Sequence, residues 1–71
     1  MKSEIQSVIF DTFNWTPILA RRWLKSKSLK SIKRVHATSE KLRYRIKPPE
    51  DYKKFTTENT NVGITIVLGW K

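Results

Sequence analysis

The sequence predicts an α+β fold: a single small domain in the order β-α-β-β-(turn)-β, with one helix packed on a mostly antiparallel sheet. Three observations carry this expectation. Leu42-Arg43-Tyr44-Arg45-Ile46-Lys47 alternates apolar and basic residues for six positions, the period of a strand with one buried and one wet face. Thr16-Pro17 opens a segment with apolar residues at helical spacing. The segment from Val62 to Trp70 places Ile64, Ile66, Leu68 and Trp70 on one side of an extended chain.

Taken in order, Ile5 to Phe10 reads as a first strand ending at Asp11. Its run Val8-Ile9-Phe10 does not alternate, which suits a strand at the centre of a sheet. Residues 11–15 form a short connection. Thr16 is a preferred N-cap residue, and Pro17 lacks the N–H that would be unsatisfied at the first helical position. The helix should run from Pro17 to Lys25 or Ser28, with Leu19, Ala20, Trp23 and Leu24 as its apolar face. Residues 27–31 make a polar joint with Leu29 tucked back under the helix.

Ile32 to Ala37 is the second strand, with Lys33, Val35 and Ala37 on one side and Ile32, Arg34 and His36 on the other. A turn at residues 38–41 leads back into the third strand, 42–47, to form an antiparallel hairpin. Pro48-Pro49 ends that strand, because proline cannot donate into a ladder. Residues 50–55 form one helical turn carrying Tyr52 and Phe55 toward the core, 56–61 a polar loop, and 62–70 the last strand.

At 71 residues the chain is near the lower size limit for a self-sufficient core, and it has no cysteine with which to reinforce one. No apolar run approaches the roughly 20 residues that cross a bilayer, and no leader-like stretch precedes the first polar residues, so the chain reads as soluble and intracellular. Its 15 Lys and Arg stand against 6 Asp and Glu, a net charge of +9. Of the basic residues, 13 lie between Arg21 and Lys54, with Glu40, Glu50 and Asp51 as the acids of that stretch. The cationic surface therefore belongs to regular structure in the middle of the chain, and it favours an anionic partner.

No catalytic, metal or cofactor site is legible. One His and no Cys fall short of a metal-ligand set. Glu50-Asp51 suits the start of a helical turn, and no glycine-rich phosphate loop is present. His36 reads first as a surface strand residue and secondarily as a polar contact to phosphate or base. The basic set bears more weight, since like charges facing each other across a hairpin destabilise it and an anion would relieve that repulsion. A solvated face that keeps the protein soluble is the plainer reading of the same charges. Arg can hold a phosphate through two hydrogen bonds, so the expected contacts are Arg21, Arg22, Arg34, Arg43 and Arg45, with Lys25, Lys33, Lys47, Lys53 and Lys54 as adjuncts. Tyr44 and Trp23 lie on apolar sides and read as core. Without an exposed aromatic array, backbone contact is favoured over stacking on single strands.

Phe10-Asp11, Trp15-Thr16-Pro17, Ala20-Arg21-Arg22-Trp23-Leu24, residues 33–38, Leu42-Arg43-Tyr44-Arg45 and Gly63-Ile64 form an ordered set. It resembles a pattern, F-D…W-T-P…A-R-x-W-L…L-R-Y-R…G-I, of small, mostly uncharacterised proteins and modules of large DNA viruses and tailed phages. The resemblance covers nearly the whole chain and departs from the pattern at residues 57–62. It implies a viral origin, with residence in the host cytoplasm, nucleus or virion, and carries over no activity and no binding residue.

The leading expectation is a non-enzymatic nucleic-acid-binding protein that contacts the phosphate backbone, DNA before RNA and duplex DNA before any defined sequence, in a setting such as genome packaging. The alternative is a structural or adaptor protein that docks its basic face or a sheet edge on an acidic protein, or that self-associates through Trp15 or Trp70. Insertion into or attachment to a membrane is disfavoured, because the one amphipathic helix is short and needs its apolar face for the core.

Overall fold

The structure is a computed structural model that describes residues 3–32, 34–61 and 63–71. Strand β1 (Ser3–Asp11) leads through a turn to helix α1 (Pro17–Ser26), followed by β2 (His36–Ala37), β3 (Lys41–Arg45), a single 3-10 turn (Pro49–Asp51), β4 (Lys54–Asn61) and β5 (Ile64–Trp70). The five strands form one sheet in the order β2-β3-β1-β5-β4, and every pairing is antiparallel. The α+β expectation of one helix on an antiparallel sheet holds.

β1 is the central strand, which explains its unbroken apolar run. Val8 and Phe10 are wholly buried beneath α1, whereas Ile9 points to the opposite face and is half-buried. A bulge between Ile5 and Ser7 shifts the alternation by one residue, so Ile5 also packs against the core on the helix side. The extra residue, Gln6, is buried. Its backbone carbonyl accepts from the Ile46 and Lys47 amides at 2.8 and 3.1 Å. Its Nε2 donates to the Lys47 carbonyl at 2.9 Å and its Oε1 accepts from Ser7 Oγ at 2.6 Å. Such full pairing is what a buried amide requires, and it ties the exit of β3 to β1.

Thr16 caps α1 as expected, its Oγ1 accepting from the Leu19 amide at 3.3 Å. The helix ends in a Schellman arrangement: the Ser28 amide donates to Lys25 O at 3.1 Å and the Leu29 amide to Leu24 O at 2.9 Å, with Ser28 at φ 58° in the left-handed position usual for glycine. Leu29 is thereby folded back onto the core. Ala20 and Leu24 are buried and Trp23 partly so. Leu19 departs from expectation: it is 43% exposed. The core beneath α1 is mostly aliphatic, with a group of aromatic rings at its centre. Phe10 contacts Trp15, Trp23 and Tyr44 at ring-centroid distances of 5.1, 5.7 and 5.6 Å. Trp15, one of the two expected anchors for self-association, is thus engaged in this cluster. Trp70, the other, is half-buried and donates from Nε1 to Thr56 Oγ1 at 2.9 Å.

Four further expectations from the sequence change. The second strand shrinks from residues 32–37 to His36–Ala37, although the Ile32 amide still reaches Arg45 O at 2.9 Å. The polar loop expected at 56–61 is the outer strand β4, since threonine favours extended backbone and an edge strand has little apolar face to show. Gly63 lies in the β4–β5 turn at φ 75°, where a Cβ would meet the Asp11 carboxylate at 2.6 Å, and not inside the last strand. The 3-10 turn carries Tyr52 across the sheet to cover Gly69, where any Cβ would collide with the Tyr52 ring. Phe55 stays 45% exposed, against the expectation that it enters the core, and lies 6.0 Å from Tyr52.

Candidate nucleic-acid interface

The period of two in β3 separates two sets of side chains. Leu42 and Tyr44 are buried under α1, so Arg43 and Arg45 stand on the open face. Register carries them into rows across the sheet. Arg43 lies opposite Ile9 on one side and His36 on the other, and Arg45 lies opposite Ser7. Arg34, from the segment leading into β2, joins them: Arg34, His36, Arg43 and Arg45 line one hollow of about 160 Å³. Arg34 also lines a second hollow at the sheet edge with Arg21, Ser31, Val35 and Tyr44. A cationic strip thus passes from α1 around the β2 edge onto the open face.

Among the described residues no acid forms an ion pair with this strip. The ion pairs there run from Glu4 Oε2 to Lys47 Nζ at 2.9 Å and from Glu4 Oε1 to Lys71 Nζ at 3.2 Å, and neither involves an arginine. Asp11 is occupied at the β1 turn, where Oδ1 accepts from the Asn14 amide at 2.8 Å. Arg43 Nε is buried and has no hydrogen-bond partner, a costly condition for a charged donor.

The expected contact residues therefore divide. Arg21, Arg34, Arg43 and Arg45 fall on one continuous strip. Lys25 extends it along α1, lining a hollow with Arg21. Arg22 is exposed on α1 and lines none of these hollows. Lys47 lies beyond β3 and is held by Glu4. Lys53 and Lys54 are exposed at the start of β4, the far edge of the sheet. Lys33 lies outside the described residues. His36, read from the sequence secondarily as a polar contact, lines the arginine hollow, and Lys41, not among the expected contacts, lines another hollow with Ile9. His36 was legible from the hairpin alternation, and Lys41 sits directly opposite Asp11.

Glu4 anchors the opposite end of the face. Hydrogen bonds from Lys47 and then Lys71 hold its carboxyl down from 4.5 to about 2, and the Lys47 ammonium is correspondingly pushed up. The Tyr52 hydroxyl donates to Glu4 Oε1 at 3.2 Å. Burial and then the Glu4 charge raise its pKa.

The described residues contain no group of three or more His, Cys, Asp or Glu placed to hold a metal ion, and no described helix is long and apolar enough to cross a membrane. Comparison with protein-family models, curated proteins and solved structures finds no match for this chain.

Proposed function

We propose that this protein is a non-enzymatic nucleic-acid-binding module that grips the phosphate backbone, DNA in the first instance, without strong sequence specificity. One observation carries the reading: three arginines and a histidine converge on a single hollow, no described acid pairs with them, and one buried guanidinium nitrogen lacks a partner. A phosphate accepts from the accessible guanidinium N–H groups around this hollow and offsets the repulsion among the cations. Condensation or packaging of a viral genome suits such binding, and it agrees with the viral pattern that the sequence resembles.

The test is a salt titration of binding to DNA. With about five phosphates engaged, log K should fall against log salt with a slope of roughly −4 to −5 on a duplex. The double change Arg43→Ala/Arg45→Ala should flatten that slope by about 2. A slope near zero, or a double mutant that binds like the parent, removes the reading.

A second reading, docking on an acidic protein partner, is favoured by β4. This strand of eight residues forms the outer edge of the sheet, and an extended peptide can add to such an edge. Capture of a purified acidic partner that survives nuclease treatment would support it.

A further inference from the structure

The open face holds more than cations. One row of side chains crosses all five strands: His36 on β2, Arg43 on β3, Ile9 on β1, Thr65 on β5 and Asn59 on β4. Its character changes along its length, from cationic through apolar to amide and hydroxyl. Next to Arg43 the row dips into a hollow of about 420 Å³ floored by Ile9 and walled by Asp11, Lys41, Asn59 and Thr65. The hollow exists because the crossing segment closes only the other end of this face, where Tyr52 covers Gly69.

We infer that this hollow is a nucleobase subsite, and hence that the preferred ligand is a strand with unpaired bases presenting carbonyl oxygens, as thymine or uracil does. The inference rests on the phosphate-binding reading above and specifies its substrate. Arg43 and Ile9 face each other across one strand spacing, about 4.8 Å, so a phosphate on the arginine cluster leaves its own base over the Ile9 side chain. A base stacked inside a duplex cannot lie flat on that floor, whereas an unpaired one can.

The polar groups at the wall suit a carbonyl-bearing edge. Asn59 Oδ1 is taken by Thr65 Oγ1 at 2.8 Å, which turns the two Nδ2 protons of Asn59 toward a ligand. The Lys41 ammonium is a second donor, free of ion pairing among the described residues. The Asp11 carboxylate is engaged by the Asn14 amide and side chain. The wall therefore offers donors in excess of acceptors, the complement of a base edge with two carbonyls.

Three probes test this: an oligothymidylate of about ten residues, an abasic deoxyribose-phosphate strand of the same length, and a duplex. The oligothymidylate should bind roughly tenfold more tightly than the abasic strand. Asn59→Ala/Thr65→Ala changes no charge, so it should reduce that ratio to about twofold while leaving the salt slope intact. Arg43→Ala/Arg45→Ala should weaken the oligothymidylate and the abasic strand alike. Equal binding of the two strands by the unaltered protein overturns the base subsite and leaves phosphate binding standing. Equal loss of both strands in Asn59→Ala/Thr65→Ala, with the fold intact by circular dichroism, also overturns it. Failure of all three probes to bind overturns both readings.

Discussion

The two faces of the sheet are built from the same strands and have opposite chemistry. Under α1, Phe10, Tyr44, Val8 and Ile64 are buried to within 2% of complete, and the Phe10 ring packs against that of Tyr44. On the open face the neighbours of those residues in sequence, Ile9, Arg43, Arg45 and Thr65, are half-buried, and all but Ile9 carry charge or a hydrogen-bonding group. One face holds the domain together and the other is available to a ligand. In a domain this small the division is economical, because a period of two lets each strand serve both ends without added length.

The contrast is broken most strongly on the covered face. Phe10→Ala removes the ring that contacts Trp15, Trp23 and Tyr44 and should cost about 3–5 kcal/mol. Most of the chain should then be unfolded in a urea titration, while Ile9→Ala on the open face should cost no more than about 1–2 kcal/mol. Equal effects would mean that both faces are core.

Gly69→Ala tests the closed end of the open face. The new methyl meets the Tyr52 ring, so about 1–3 kcal/mol should be lost through overpacking. Tyr52→Ala in the same background should recover part of the loss in the same titration, if displacement of the ring is the cause.

Arg43→Met sharpens the comparison from the other side. The guanidinium Nε is buried without a partner, so replacing it with an apolar chain should leave stability unchanged or raise it by about 1 kcal/mol. Affinity for DNA should fall even so, which separates a residue held for binding from one held for folding.

The smallest effect concerns Glu4, and it is read from the acid limb of a stability–pH curve. Its pKa falls on folding from 4.5 to about 2, so the stability it contributes is present in full above pH 4.5 and is lost as pH falls through 2. Glu4→Gln should flatten the acid limb of a stability–pH curve within that window and weaken the alkaline limb too, because Glu4 holds the Lys47 ammonium up and adds to the rise at Tyr52. The alkaline limb descends as pH rises through the raised folded-state values of Tyr52 and Lys47.

Much of the fold was legible because the signals were local. Thr16-Pro17 set the start of α1, the Leu42–Ile46 alternation set the face of β3, and the apolar run of β1 indicated a central strand. β4 was missed because Phe-Thr-Thr-Glu-Asn-Thr-Asn carries no apolar period. It is a strand by virtue of pairing with β5, a contact no window of sequence contains. With β4 unseen, Asn59 had no face, and half of the hollow over Ile9 was out of reach.

The sequence by itself determined that the protein is cationic, that its charge lies on ordered structure, and that Arg43 and Arg45 share a side opposite Tyr44, because net charge and side-chain alternation are properties of the chain. Only the tertiary structure decided which cations act together. It withdrew Lys47 to Glu4, placed Lys53 and Lys54 at the far edge, and brought Arg21, Arg34, His36, Arg43 and Arg45 onto one strip beside Ile9. The reason is strand order. β1, first in sequence, lies between β3 and β5, and that insertion determines which residues become neighbours.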